Sequence, residues 1–268
     1  MKIANVNIVT YSPTRTSFKI AESIADGFGL GTNACIDLTY MAEGMKHAFK
    51  HDDLVIIAAP VYGGRVAPKA VERLAGIRGN STPVIVVVLY GNREFEDALL
   101  ELNTIAVEAG FVVVGAAAFV GEHSFSSTEM PIAYGRPDAD DLAIARVFGG
   151  RLRTCLMNTV SGGALAMPPL PGTVPYNEGF SPIPFSPQVD VGACTRCGVC
   201  VPQCPTGAIT MDENIQFEVD RCTLCCACVK ICPEEALSIS GTPALAKMQW
   251  LYENCRGRKD PDLFMPAV

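Results

Sequence analysis

Two runs of four cysteines with identical spacing constrain this chain more than any other feature. They are Cys194-x2-Cys197-x2-Cys200-x3-Cys204-Pro205 and Cys222-x2-Cys225-x2-Cys228-x3-Cys232-Pro233. The second begins 28 residues after the first, and Ala208 and Ile209 are matched at the same offsets by Ala236 and Leu237, so the segment is an internal duplication. Of the twelve cysteines only Cys35, Cys155 and Cys255 lie outside this window. Such density in a small secreted protein would read as a disulfide frame. This chain has 268 residues, and its opening MKIANVNIVT reads as a strand rather than a secretory leader. Thiolate ligation of metal is the remaining reading. Zinc fits poorly, because four cysteines crowd into eleven residues, twice, where tetrahedral zinc wants two separated pairs. Cys226 stands where the first repeat has Gly198 and reads as a small buried hydrophobe.

The spacing is similar to that of bacterial two-cluster ferredoxins. There, three cysteines at two-residue gaps wrap one cluster and the fourth ligates the other. The proline after it keeps that fourth cysteine from being drawn back into a helix. The resemblance implies two 4Fe–4S clusters. One would be held by Cys194, Cys197, Cys200 and Cys232, the other by Cys222, Cys225, Cys228 and Cys204, in a small α+β domain over residues 188–240. From Gln188 to Ser240 seven acids face three bases, a net of −4 before the thiolates are counted. Such a surface attracts a basic protein partner.

The first 162 residues have another rhythm, with strand and helix signals alternating. Apolar runs at Ile3–Val9, Cys35–Leu38, Leu54–Ala59, Val84–Leu89 and Phe111–Val120 read as strands, several of them buried on both faces. Helical periodicity covers Thr16–Phe28, a segment through Phe95, Leu99, Leu102, Ala106 and Ala109, and Leu142–Thr159. The order predicts an α/β, doubly wound parallel sheet. Residues 163–187 follow, with seven prolines between Pro168 and Pro187. They read as a stiff extended linker or as a tail lying on the first domain. Residues 241–268 are expected to form one helix and a basic tail containing Arg256, Arg258 and Lys259, either solvated or folded onto the acidic cluster domain.

A doubly wound sheet takes its ligand at the carboxyl ends of its strands, so those loops carry the functional information. After the first strand, Ser12, Thr14, Arg15, Thr16 and Ser17 enter a helix directly, offering hydroxyls and free helix amides to a phosphate. The loop is neither GxGxxG nor GxxxxGK[ST], which disfavours dinucleotides and nucleoside triphosphates. Pro60, Val61, Tyr62, Gly63 and Gly64 follow the third strand, and Tyr90, Gly91, Asn92 and Arg93 the fourth. Each pairs an aromatic ring with glycines that admit a flat ligand. His123, after the fifth strand, reads first as a solvated loop histidine, with a flavin contact as the sharper alternative.

Together these features resemble the flavodoxin–ferredoxin fusion family. The family implies a flavodoxin-like domain over residues 1–162 that binds FMN with Tyr62 and Tyr90 near the ring system. Pro13 and Arg15 depart from it, standing where the family usually has glycine. The resemblance implies electron transfer among FMN, two 4Fe–4S clusters and protein redox partners in anaerobic metabolism. A flavin-dependent reductase of a quinone or nitro compound, or a ferredoxin with an empty flavodoxin-like docking domain, are the other readings. A net charge of −7 argues against nucleic acid or an anionic membrane as partner. The longest apolar stretch is half the roughly 20 residues needed to span a bilayer, so a cytoplasmic location is expected.

Overall fold

The computed structural model describes residues 2–40, 44–158, 166–179, 184–239, 241 and 243–267. Five parallel strands form its centre: β1 (Asn5–Thr10), β2 (Thr32–Asp37), β3 (Asp53–Tyr62), β4 (Thr82–Tyr90) and β5 (Phe111–Val120). Their spatial order is β2-β1-β3-β4-β5, the flavodoxin-like order, with a topological switch between β1 and β3. β4 is buried at every position and β3 over its first seven, which is why both read as unbroken apolar runs.

Helices cover both faces. α1 (Thr16–Phe28) and α4 (Ala139–Asn158) lie on one, burying Ile20, Ile24, Phe28, Phe148 and Leu152 against Ile8, Ile56 and Ile85. They approach so closely that a Cβ on Gly27 would meet the Arg146 carbonyl oxygen at 1.8 Å, and one on Gly149 the Ile24 carbonyl oxygen at 2.1 Å. α2 (Pro68–Leu74), with proline at its first turn, and α3 (Ala98–Glu108) cover the other face through Leu74, Leu99 and Leu102.

Residues 166–179 lie along this domain rather than spanning free space. Asp97 accepts the Thr173 amide at 2.8 Å and the Asn177 amide at 2.7 Å, while the Tyr176 hydroxyl donates to Thr104 at 2.9 Å. Met167 and Leu170 pack on the α2/α3 core. The Asn177 amide is the largest of the influences that hold the Asp97 carboxyl below its ordinary range. Pro182 and the junctions at 162–163 and 240 fall outside the described residues.

The cysteine segment carries a hairpin of β6 (Ile209–Met211) and β7 (Ile215–Phe217) and a short helix α5 (Ala227–Ile231). α6 (Leu245–Asn254) follows. Of the basic tail, Arg256 stays exposed, while Arg258 and Lys259 are laid on the first domain rather than on the cluster domain. The tail's β8 (Asp262–Phe264) pairs antiparallel with Ala116–Ala118 of β5, closing that edge of the sheet. Arg258 holds Asp138 at 2.6 Å, and the Asn92 carboxamide donates to the Gly257 carbonyl at 2.7 Å. Nothing in DLF announces a strand; it forms because β5 offers it an unpaired row of backbone groups. No helix among the described residues is long and apolar enough to cross a membrane.

Candidate functional site

At the switch point, one cleft gathers the loops after β1, β3, β4 and β5. Ser12, Pro13, Thr14, Thr16 and Ser17 form its floor, Pro60, Val61, Tyr62 and Gly63 one wall, and Tyr90, Gly91 and Gly121–Phe125 the other. The far side is built by the cysteine domain and α6, through Thr223, Leu224, Cys225 and Lys247.

The floor has the features of a phosphate cradle. α1 starts at Thr16 with no acidic residue in its first turn and no side-chain cap from Arg15, so its positive end is only partly met within the protein. Ser12 is committed: its amide donates to the Thr39 hydroxyl at 2.7 Å, and its own Oγ accepts the Phe18 amide at 3.2 Å. Ser17 is fully buried, and its Oγ has no hydrogen-bond partner among the described residues. A buried hydroxyl left unmatched is costly, and a phosphate oxygen would match it. On the wall, a Cβ at Gly91 would meet the His123 ring at 2.3 Å, so only glycine admits the imidazole there.

Four expected site residues are not brought to the cleft. Arg15 turns its guanidinium over the Phe18 ring at 4.2 Å. Gly64 is backed by Glu96, Asn92 serves the tail, and Arg93 pairs with Glu96 at 2.7 Å. Arg15 occupies the left-handed region, φ 62°, which explains why glycine suits this position. The strain, of order 1–3 kcal/mol, slightly exceeds the sum of glycine's entropic penalty of about 0.5–1 kcal/mol and an exposed cation–π contact of similar size. Arg15→Gly is therefore expected to raise thermal stability slightly and leave flavin affinity unchanged. A tenfold loss of flavin affinity would show that Arg15 does reach the ligand.

His123 belongs to the cleft, against the solvated-loop reading. Its Nδ1 accepts the Phe125 amide at 3.0 Å, which leaves Nε2 as the protonated nitrogen of the neutral ring. Burial, and then the positive charges of Lys247, Lys230 and Arg93, lower its pKa to about 4. Because the folded value lies below the unfolded one, the neutral ring's stabilising contribution is complete above pH ~6.5 and is lost as pH falls toward about 4. His123→Phe should flatten the fall in stability across that window; an unchanged slope would mean an ordinary, solvated histidine. Tyr90 is mainly a packing residue, its ring 5.4 Å from Phe95, and burial pushes its phenol up to about 12.

The cysteines sort into two sets in space. Cys204, Cys222, Cys225 and Cys228 line one cavity, and Cys194, Cys197, Cys200 and Cys232 another, so each fourth cysteine sits with the opposite run. None of the twelve is in a disulfide. Burial, only partly offset by the Ala227 amide, pushes the Cys225 thiol up to about 12, with Cys204 and Cys222 adding to it. Thiols so placed become thiolates when a cationic centre neutralises them. Among the described residues no group of three His, Cys, Asp or Glu side chains is arranged to hold a single ion. Four thiolates at the corners of a cluster need no such close approach. Around Cys204, the Ala208 amide donates to the sulfur at 3.2 Å, the kind of contact that tunes a cluster. Cys226 lines the first of these cavities too; it is buried, and its thiol donates to the Leu224 carbonyl at 3.4 Å.

The two domains are joined by one apolar core and a few polar ties. Phe125 and Ile132 of the first domain pack with Leu224, Cys226, Ile239, Met248 and Leu251. Lys230 ties to Glu122 and to the Ser126 carbonyl, Arg73 donates to the Pro205 carbonyl at 2.8 Å, and Tyr40 to Gln203 at 2.7 Å. Tyr62 lies at this junction; burial, then the nearby Cys225, raise its pKa far enough to keep the phenol neutral.

Comparison with known proteins agrees with this division. The 4Fe–4S binding domain family matches twice, at residues 187–210 and 215–238, one match on each cysteine run. No curated protein matches the chain. Among solved structures, a flavodoxin from the domain Archaea is 12% identical with a TM-score of 0.36, covering 58% of this chain and all of that one. A Streptococcus pneumoniae TIGR4 flavodoxin is 19% identical with a TM-score of 0.38, covering 57% of this chain and 99% of that one. Rubredoxin oxygen:oxidoreductase from Desulfovibrio gigas is 13% identical with a TM-score of 0.41, over 59% of this chain and 38% of that one. At such values the likenesses add nothing to what the strand order establishes. The chain joins a flavodoxin-like domain to a 4Fe–4S binding domain, the architecture of a flavodoxin–ferredoxin fusion.

Proposed function

We propose that the protein is an electron carrier in which FMN occupies the switch-point cleft and exchanges electrons with two 4Fe–4S clusters. Cys225 carries this reading, because it lines both the cleft and the cavity of its own cysteine set. Thr223 lines both as well, so a single layer of residues separates the flavin site from the nearer cluster, held by Cys204, Cys222, Cys225 and Cys228. The farther cluster, held by Cys194, Cys197, Cys200 and Cys232, includes the exposed Cys197 and is the outlet to a partner. The acidic surface of the cluster domain fits a basic redox protein.

Bound FMN supplies one- and two-electron chemistry to the site. The residues' own tasks are to bind, orient and exclude water. Ser17 and the Thr16 and Ser17 amides of α1 would hold the phosphate, Gly63 would admit the ring, and His123, seated against Gly91, presents an Nε2 proton donor to the cleft. Thr223–Cys225 and Lys247 cover the side from which a small substrate would approach a flavodoxin-type flavin, which counts against a quinone or nitro-compound reductase. The unmatched Ser17 hydroxyl counts against an empty docking domain.

Anaerobically purified protein should release FMN on acid extraction and contain about eight iron atoms per chain, two clusters' worth. Eight irons without flavin would overturn the proposal; so would rapid turnover of quinones with no protein partner present.

A further inference from the structure

A second concavity, of about 360 Å³, lies outside the cleft, between the 131–138 loop and the end of α6. Its size is at the lower end for small-molecule sites. Three guanidinium groups line it, but two are already neutralised. Arg136 is bound by Asp141 and donates to the Lys259 carbonyl, and Arg258 is paired with Asp138. Arg256 is exposed and has no carboxylate partner among the described residues; it lies over the Tyr252 ring at 5.5 Å. Tyr134, 59% exposed, presents a second phenol ring to the same space. Asn92, only 1% exposed, also lines it. Its amide nitrogen is used by the tail, while its Oδ1 has no donor.

These unmet groups specify a ligand. A single free guanidinium calls for one anionic group, best a phosphate or carboxylate. Two phenol rings beside it favour a flat aromatic ring. A buried carbonyl oxygen without a donor calls for an N–H. From these demands we infer that the concavity is a binding site for a mononucleotide, with its phosphate on Arg256, its base between Tyr134 and Tyr252, and a base amino group toward Asn92. The site is separate from the flavin cleft but adjoins it through the Gly91–Asn92 peptide. Its floor is fastened to the cleft wall, where the Glu122 amide donates to the Arg136 carbonyl at 2.8 Å.

The test is calorimetric titration of the full chain, with its flavin and iron in place, using AMP and inorganic phosphate. AMP should bind with a Kd below about 1 mM and inorganic phosphate at least about tenfold more weakly, since the ring contacts are absent. Arg256→Ala should weaken AMP about tenfold or more, and Tyr134→Ala should weaken AMP but not phosphate. Both residues are exposed, so neither change should disturb folding. The inference is overturned if AMP fails to saturate by about 10 mM. Equal affinities for AMP and phosphate, or AMP binding indifferent to Arg256→Ala, would overturn it too.

Discussion

Replacing Cys225 with alanine should halve the iron, from about eight to about four atoms per chain, and stop electron exchange between the flavin and the remaining cluster. The residue sits on the wall shared by the cleft and the Cys204 set, so its loss removes the nearer cluster and leaves a gap. Cys197→Ala is the comparison. It should cost the same iron but leave flavin–cluster exchange intact while impairing delivery to an external acceptor, because Cys197 is on the exposed side of the farther set. Iron assay with stopped-flow reduction distinguishes the two. If both variants exchange electrons with the flavin equally well, the order of centres proposed here is wrong.

The second large effect is expected at Ser17, where folding and binding should respond in opposite directions. Its buried hydroxyl has no partner within the protein, so Ser17→Ala removes an unsatisfied group and should leave the flavin-free protein as stable or up to about 1 kcal/mol more stable. The same change deletes a hydrogen bond to a charged phosphate, worth about 1.5–3 kcal/mol, so FMN should bind about 10- to 150-fold more weakly. Flavin fluorescence titration and thermal denaturation read the two signs independently. A variant that loses stability and keeps its FMN affinity would place the phosphate elsewhere.

The parts of this protein governed by local rules were legible in its sequence. Thr16–Phe28 and Phe111–Val120 have the limits their apolar patterns imply, because each buries its pattern within one domain. The hydroxyl-rich loop, the Tyr62 and Tyr90 loops and the cysteine spacing pointed to regions that do converge. What could not be read depends on domain docking. Lys247 enters the cleft only because α6 packs through Met248 and Leu251 on Phe125 and Ile132. His123 looked like a loop residue because the groups that bury and discharge it come from elsewhere, chiefly from beyond residue 222. Asn92 and Arg93 stood in the right loop, yet their side chains were claimed by the tail and by Glu96. The proline-rich segment held two readings because composition gives stiffness without saying what lies beneath; Asp97 accepts its backbone.

The antiparallel strand at the sheet edge also bears on how the molecule is made. The first domain receives that strand from residues translated after both cysteine runs. Until Asp262–Phe264 emerge from the ribosome, β5 presents an open row of amides and carbonyls in a nascent chain. Completion of the sheet therefore waits on synthesis of residues 262–264. A product terminated before residue 262, with its cysteines present, would carry an exposed strand edge open to proteases and chaperones.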